Sequence, residues 1–216
     1  MKIKVCGMRE ALNLRSLAQL EPDYVGLIFY AKSNRFVANN NLTGVLHQLK
    51  KECKLTGVFV DENQKNILQK IKEFELKAVQ LHGNENPEFC NSLKAESPQT
   101  EIIKAFGVDE KFDFQSTGDY LDCVDYFLFD TKTSDHGGSG LTFNWNILEK
   151  FPFDKPYFLS GGISPDNIDE VLKIRDKRLY AVDLNSRFEI SPGLKDIEKL
   201  RLTFKKIRSQ TGQEAI

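Results

Sequence analysis

One thiol, one carboxylate and two polar turns are the features of this chain whose residue types and positions could do chemistry. Cys6 stands in Lys2-Ile-Lys-Val-Cys-Gly-Met-Arg9, where a short apolar run stops and a glycine follows. A thiol there is either a small buried hydrophobe, the commoner fate of a free cysteine, or a base displayed at a strand end, where a following helix N-terminus favours the thiolate. Asp130 closes the apolar run Tyr126-Phe-Leu-Phe129 and precedes a loop containing Gly137-Gly-Ser-Gly140. A carboxylate ending an apolar strand is partly desolvated, so its pKa rises and suits general-acid work. The alternatives, a helix cap or a lysine partner, are weakened because the next helix is expected only about ten residues on, near Phe143.

Leu159-Ser-Gly-Gly-Ile163, followed by Ser164-Pro165, reads as a strand-to-helix turn. Gly161 and Gly162 would let backbone N–H groups approach an anion, and a helix N-terminus would add positive potential. With Asp183-Leu-Asn-Ser-Arg187 it makes a phosphate site from Gly161, Gly162, Asn185 and Ser186, with Asp183 on the substrate side; the competing reading is turn geometry alone. Arg35, in Lys32-Ser-Asn-Arg35, is either a planar clamp for a carboxylate or phosphate or a solvated surface arginine. His82, in Gln80-Leu-His-Gly83, is a wall or substrate-packing residue ahead of a proton carrier. Asp61 reads as a helix cap.

The elements that must position these residues repeat evenly. Apolar runs of strand length cover residues 3–6, 24–29, 55–60, 78–81, 101–106, 126–130, 156–160 and 181–185. Segments of helical period separate them, marked by Leu14 and Leu17, Ile67 and Ile71, Val171 and Leu172, and Leu200 and Phe204; the fifth, around 111–121, is weak and short. Asp61-Glu-Asn63 and Asn86-Pro87-Glu88 sit where caps belong, and Ser164-Pro165-Asp166-Asn167 opens the seventh helix. Continuously apolar strands separated by helices argue for a parallel sheet covered by helices. A repeat of roughly 25 residues is near the minimum for a strand–helix unit. The expectation is an α/β chain folded as one (β/α)8 TIM barrel over residues 1–216, with 209–216 a frayed tail. All the candidate residues then meet at the C-terminal mouth of the strands.

Composition limits the partners. A net charge of −1 from 30 basic and 31 acidic residues makes no case for nucleic acid or an anionic membrane. No apolar run approaches the roughly 20 residues of a membrane span, and the chain opens on a strand without a signal-peptide core. The four scattered cysteines, Cys6, Cys53, Cys90 and Cys123, read as reduced thiols of a cytoplasmic protein. His47, His82 and His136 form no metal-ligand pattern. The chain would act as a monomer or a homodimer, with Phe36 and Phe151 as exposed apolar candidates for an interface.

In order and spacing, several segments together resemble the phosphoribosylanthranilate isomerases of tryptophan biosynthesis. They are Lys4-Val-Cys-Gly-Met8, Tyr24-Val-Gly-Leu-Ile-Phe29 with Arg35, Gly57-Val-Phe-Val60, Val79-Gln-Leu-His-Gly83 and Phe129-Asp-Thr131. Gly137-Gly-Ser-Gly140, Phe143-Asn-Trp145, Leu159-Ser-Gly-Gly-Ile163, Val182-Asp183 and Pro192-Gly-Leu-Lys-Asp196 complete the set over nearly the whole chain. The resemblance implies an Amadori rearrangement of a phosphorylated sugar–anthranilate. In it Asp130 is the general acid at the furanose oxygen, and Cys6, as thiolate, is the base at C2. It implies Arg35 at the anthranilate carboxylate, and neither metal nor cofactor. Two positions depart from the family pattern: Asn185-Ser186-Arg187 replaces Ser-Ser-Gly, and Leu141 replaces a basic residue. Two other readings stand beside this one. A metal epimerase would want ligands on several strands, and a Schiff-base aldolase a strand lysine, for which Lys104 is the candidate; a barrel that only binds a phosphorylated ligand is the non-enzymatic alternative.

Overall fold

In the computed structural model, which describes residues 1–38, 42–49, 53–132 and 142–210, eight parallel strands pair in chain order and β1 closes the ring with β8. They are β1 (Lys2–Val5), β2 (Tyr24–Ile28), β3 (Lys54–Phe59), β4 (Ala78–Leu81), β5 (Glu101–Val108), β6 (Tyr126–Thr131), β7 (Tyr157–Leu159) and β8 (Leu179–Leu184). The expected (β/α)8 barrel is thus the architecture, each strand falling within two residues of its apolar run. Alternation along each strand divides two cores. Ile3 and Val5 face the outer helix layer. Tyr24, Ala78, Ile103, Leu128, Phe158 and Ala181 form a separate inner cluster, with Tyr126 and Tyr180 packed against it. At the N-terminal ends of their strands, the Tyr126 and Tyr180 rings stack 4.7 Å apart. This lower half is filled with side chains, so only the upper end can receive a ligand.

The covering helices are α1 (Ala11–Ala18), α2 (Thr43–Leu49), α3 (Gln64–Phe74), α4 (Pro87–Glu96), α5 (Ile168–Lys173) and α6 (Ile197–Gln210). Asn63 caps α3 by accepting from Asn66 N at 2.9 Å, and Asn86 caps α4 by accepting from Phe89 N at 2.9 Å. Ser209 belongs to α6 rather than to a frayed tail, and 211–216 lie outside the described residues. Ser164–Asn167 forms a separate turn before α5, so the helix starts one turn later than expected.

Two coverings are 3-10 turns, Phe114–Tyr120 and Trp145–Lys150. The first contains Ser116-Thr-Gly118, poor helix formers that let a short, tight turn compete. Such thin coverings leave volume that phenylalanines fill: Phe114 and Phe151 pack on Phe129 at 5.4 and 5.2 Å. Phe151, expected at the surface, is therefore only 2% exposed, and Phe36 is half-buried. Among the described residues, the large exposed apolar ones are Leu12, Ile190 and Leu202 instead. Beyond β8, Glu189–Ser191 (β9) and Leu194–Lys195 (β10) form an antiparallel hairpin. Among the described residues, no helix is long and apolar enough to cross a membrane.

Candidate active site

Alternation on β1 puts Lys4 and Cys6 on the inner face, and both are buried. Gly26 on β2 makes room for the thiol: a Cβ there would lie 2.6 Å from Cys6 Sγ. Lys4 Nζ pairs with Asp183 Oδ2 across the β1–β8 register at 2.8 Å. Burial pushes the Cys6 thiol above its ordinary value, and Asp183 adds to the rise; Lys4 and Lys195 oppose it. The expected helix N-terminus is not beside the thiol, because α1 begins at Ala11. Two buried ammonium groups supply the positive potential in its place. Lys4 itself is held above its ordinary pKa, since Asp183 and Cys6 outweigh a large burial penalty.

Asp130 sits on the inner face of β6, its Oδ1 accepting from Thr131 N at 2.8 Å. Burial raises its pKa; the Thr131 N–H, a hydrogen bond with Ser160 and the Lys4 charge pull it down without cancelling that rise. His82 Nε2 lies 3.6 Å from Asp130 Oδ2. Asp183 is also held above the usual carboxylate range by burial, against the pull of Lys4. Its Oδ1 is buried without a hydrogen-bond partner, aligned with a strand end at the mouth. Cys6, Asp130, His82 and Asp183 therefore converge on one inner surface, as their strand-end positions imply.

On the β7–β8 side, Gly161 and Gly162 have φ of 89° and 64°, conformations that favour glycine. A Cβ on Gly161 would collide with Thr131 Oγ1 and lie 3.0 Å from Asp130 Oδ1, so this turn packs directly against Asp130. The helix-dipole part of the phosphate expectation fails: Ile168, the first residue of α5, is six positions beyond Gly162, and Ser164 N is taken by Asn167 Oδ1 at 2.8 Å. Arg187 and Lys199 line a cleft with Gly162, Ser164 and Asp166. Ser186 opens the 3-10 turn that carries Arg187. Asn185 turns its Oδ1 away, to accept from Lys195 Nζ at 2.7 Å.

Arg35 is neither solvated nor open on both edges. Its Nε and Nη2 donate to the Glu189 carboxylate at 2.9 and 2.7 Å, and Lys195 Nζ reaches the same carboxylate at 2.6 Å. Burial lowers the Lys195 pKa to about 8 even so. Arg35 and Lys195 hold Glu189 below its ordinary value against burial. Asp61 is not a helix cap: its carboxylate accepts from Asn84 N and Nδ2, joining the loops after β3 and β4. Gly137-Gly-Ser-Gly140, Leu141 and His136 lie outside the described residues.

Lys4, Gln80, Glu189 and Lys195 escaped the sequence reading. Lys4 and Gln80 did leave a signal, a polar side chain inside an otherwise apolar strand run. Lys104, read as the strand lysine, donates to Gly83 O at 2.7 Å and pairs with Glu85 at 3.1 Å, so it anchors the loop after β4. Among the described residues, no group of three or more His, Cys, Asp or Glu is placed to hold a metal ion. All four cysteines are buried.

A parallel eight-stranded barrel that gathers a thiol, carboxyl groups and buried cations at the strand C-termini has the build of a barrel enzyme. A family model, N-(5'-phosphoribosyl)anthranilate (PRA) isomerase, matches residues 3–206, and the chain belongs to that family. An N-(5'-phosphoribosyl)anthranilate isomerase of Phocaeicola vulgatus is 45% identical over 196 residues, covering 91% of this chain and 92% of the relative. The crystal structure of phosphoribosyl anthranilate isomerase from Thermus thermophilus superposes with a TM-score of 0.84 at 29% identity, covering 97% of this chain and 99% of that one. A crystal structure of such an isomerase in complex with reduced 1-(o-carboxyphenylamino)-1-deoxyribulose 5-phosphate gives a TM-score of 0.78 at 26% identity, covering 97% and 99% of the two chains.

Proposed function

We propose that this chain isomerises N-(5'-phosphoribosyl)anthranilate to 1-(2-carboxyphenylamino)-1-deoxyribulose 5-phosphate in tryptophan biosynthesis, with Asp130 as general acid and Cys6 as general base. One observation carries the pairing: Lys4, buried two positions before Cys6 on the inner face of β1, leads through Gln80 and His82 to Asp130, so the two proton carriers stand on one inner surface.

The protonated Asp130 carboxyl gives its proton to the furanose ring oxygen. The C1–O bond breaks with its electron pair on oxygen, and the anilino nitrogen lone pair forms the C1=N bond. Cys6, as thiolate, takes the C2 proton. The C2–H pair becomes C1=C2, and the C=N π pair returns to nitrogen. The enolamine gains a proton at C1 and loses one from the C2 hydroxyl, leaving the ketone and an isomeric product. The substrate's own nitrogen is the electron sink, so the scheme uses neither metal nor cofactor.

The resting thiol is the harder half, because burial raises its pKa. Lys4, Lys195 and the cationic Schiff base beside it favour the thiolate once the ring has opened. Gly161, Gly162, Ser186 and Asn185 border the phosphate, with Arg187 and Lys199 supplying charge. Arg35, with Nε and Nη2 on Glu189, offers its Nη1 edge to the anthranilate carboxylate. Asp183 Oδ1 accepts from a sugar hydroxyl. The Schiff-base aldolase reading loses its support here, because Lys104 is tied to Glu85 and Lys4 is held charged by Asp183.

The test is a fluorescence assay following consumption of the anthranilate adduct. Wild-type protein should consume it, and Cys6→Ser and Asp130→Asn should each lose kcat by about 10²–10⁴ with unchanged circular dichroism. Near wild-type turnover by either variant removes that residue's role. No turnover by the wild type, beside an active control enzyme, favours the barrel that only binds a phosphorylated ligand.

A further inference from the structure

A chain of side chains crosses the floor of this site and ends at Asp130. Lys4 Nζ lies 2.8 Å from Asp183 Oδ2 and 2.7 Å from Gln80 Oε1. The other end of the Gln80 amide, Nε2, lies 3.0 Å from His82 Nδ1, and His82 Nε2 faces Asp130 Oδ2 at 3.6 Å. Alternation on β4 sets Gln80 and His82 on the same inner face, opposite Lys4.

The donor inventory fixes the direction of every link. An ammonium only donates, so Gln80 must turn its carbonyl oxygen to Lys4. Its amide nitrogen then faces His82, and an amide nitrogen also only donates. His82 Nδ1 must therefore be the acceptor, without a proton. The neutral ring carries its proton on Nε2, aimed at Asp130. This assignment follows from the chemistry of Lys4, not from which way the amide is drawn.

We propose that Lys4 and Gln80 are positioning residues that hold His82 as the Nε2–H tautomer, and that His82 in this form stabilises the carboxylate Asp130 becomes on giving up its proton. The opposite tautomer would set a nitrogen lone pair against that growing charge, turning an attraction into a repulsion. The backbone that carries the ring is held on both sides. His82 N donates to Phe59 O at 2.8 Å, and the following loop is pinned by Glu85, which accepts from Gly83 N and Asp61 N and pairs with Lys104. The catalytic half of the proposal rests on Asp130 as general acid; the tautomer half does not.

Nitrogen NMR on protein labelled in the histidine rings tests it, with the His82 signals assigned by their loss in His82→Asn. Wild-type protein should show Nδ1 unprotonated and Nε2 protonated wherever the ring is neutral. Gln80→Glu places a carboxylate oxygen against Nδ1, which should then gain a proton. The same variant should lower kcat about tenfold or more while KM changes little, because the altered contact is to Asp130 and not to substrate. A neutral wild-type ring protonated on Nδ1 overturns the proposal, as does an unmoved Nδ1 signal in folded Gln80→Glu. Should that variant not fold, the wild-type spectrum decides alone. A wild-type kcat for Asp130→Asn removes the acid reading and leaves the tautomer assignment to the spectrum.

Discussion

Cys6 and Asp130 are perturbed in the same direction by the same cause: burial disfavours the charged form of each, and both pKa values rise. The consequence for rate is specific. Activity needs the thiol deprotonated and the carboxyl protonated, the minority arrangement when the thiol titrates above the carboxyl, so kcat/KM should be a bell whose acid limb lies at the lower, carboxyl-side pKa and whose alkaline limb lies at the higher, thiol-side one. Both limbs belong to the coupled pair, and they should lie alkaline of the ordinary carboxyl and thiol values of 3.8 and 9.0. A pH profile with chemistry rate-limiting measures this, and a flat one overturns the acid–base scheme. Both residues were legible because each ends an apolar run. Lys4, two positions before Cys6, was marked only as a polar residue within an apolar run, and that mark does not give its task. A lysine near a strand start is ordinarily a solvated end, and only barrel closure against Asp183 shows where this one points.

At the scale of the element, strand alternation decides which neighbours can approach. Gly26 is on the inner face of β2, and its missing side chain is the space Cys6 occupies. Gly26→Ala should displace the thiol and lower kcat by about 10²-fold, since misplacing a reacting group by an ångström has that order of effect. The expected result is a folded barrel, by circular dichroism, with impaired turnover; full activity would show that Cys6 tolerates displacement. The hairpin of β9 and β10 is the other positioning element. It brings Glu189 against Arg35 and Lys195 and so orients the arginine from behind. Nothing local marks Glu189 for that task, since its partners lie 154 and 6 positions away along the chain.

At the scale of the whole molecule, stability should follow the places where covering is thin. Phe151 fills the space under the 3-10 turns of the β5–β7 side, and Phe151→Ala should cost about 3–5 kcal/mol. Denaturant titration would read that loss, with turnover retained at low temperature because Phe151 lies outside the barrel interior. The Glu189 carboxylate has its folded pKa depressed, so its contribution is full above the ordinary glutamate value and is lost as pH falls through the lower, folded one. Glu189→Gln should therefore flatten the acid side of the stability–pH curve, measured by melting temperature from neutral pH downward. An unchanged acid side would mean that the carboxylate adds nothing.

By itself the sequence determined the barrel and the ring of strand ends. Continuous apolar runs at even spacing admit few other folds, and a strand end is a local feature. It also determined that a thiol and a desolvated carboxyl stand at two of those ends. Only the tertiary structure decided what surrounds them. The helix dipole expected at Cys6 gives way to Lys4 and Lys195, the clamp expected of Arg35 is shared with Glu189, and the charge near the glycine turn comes from Arg187 and Lys199. The reason is physical: charge coupling acts through space between residues on different strands, and periodicity along one chain carries no record of which residues closure will bring within 3 Å.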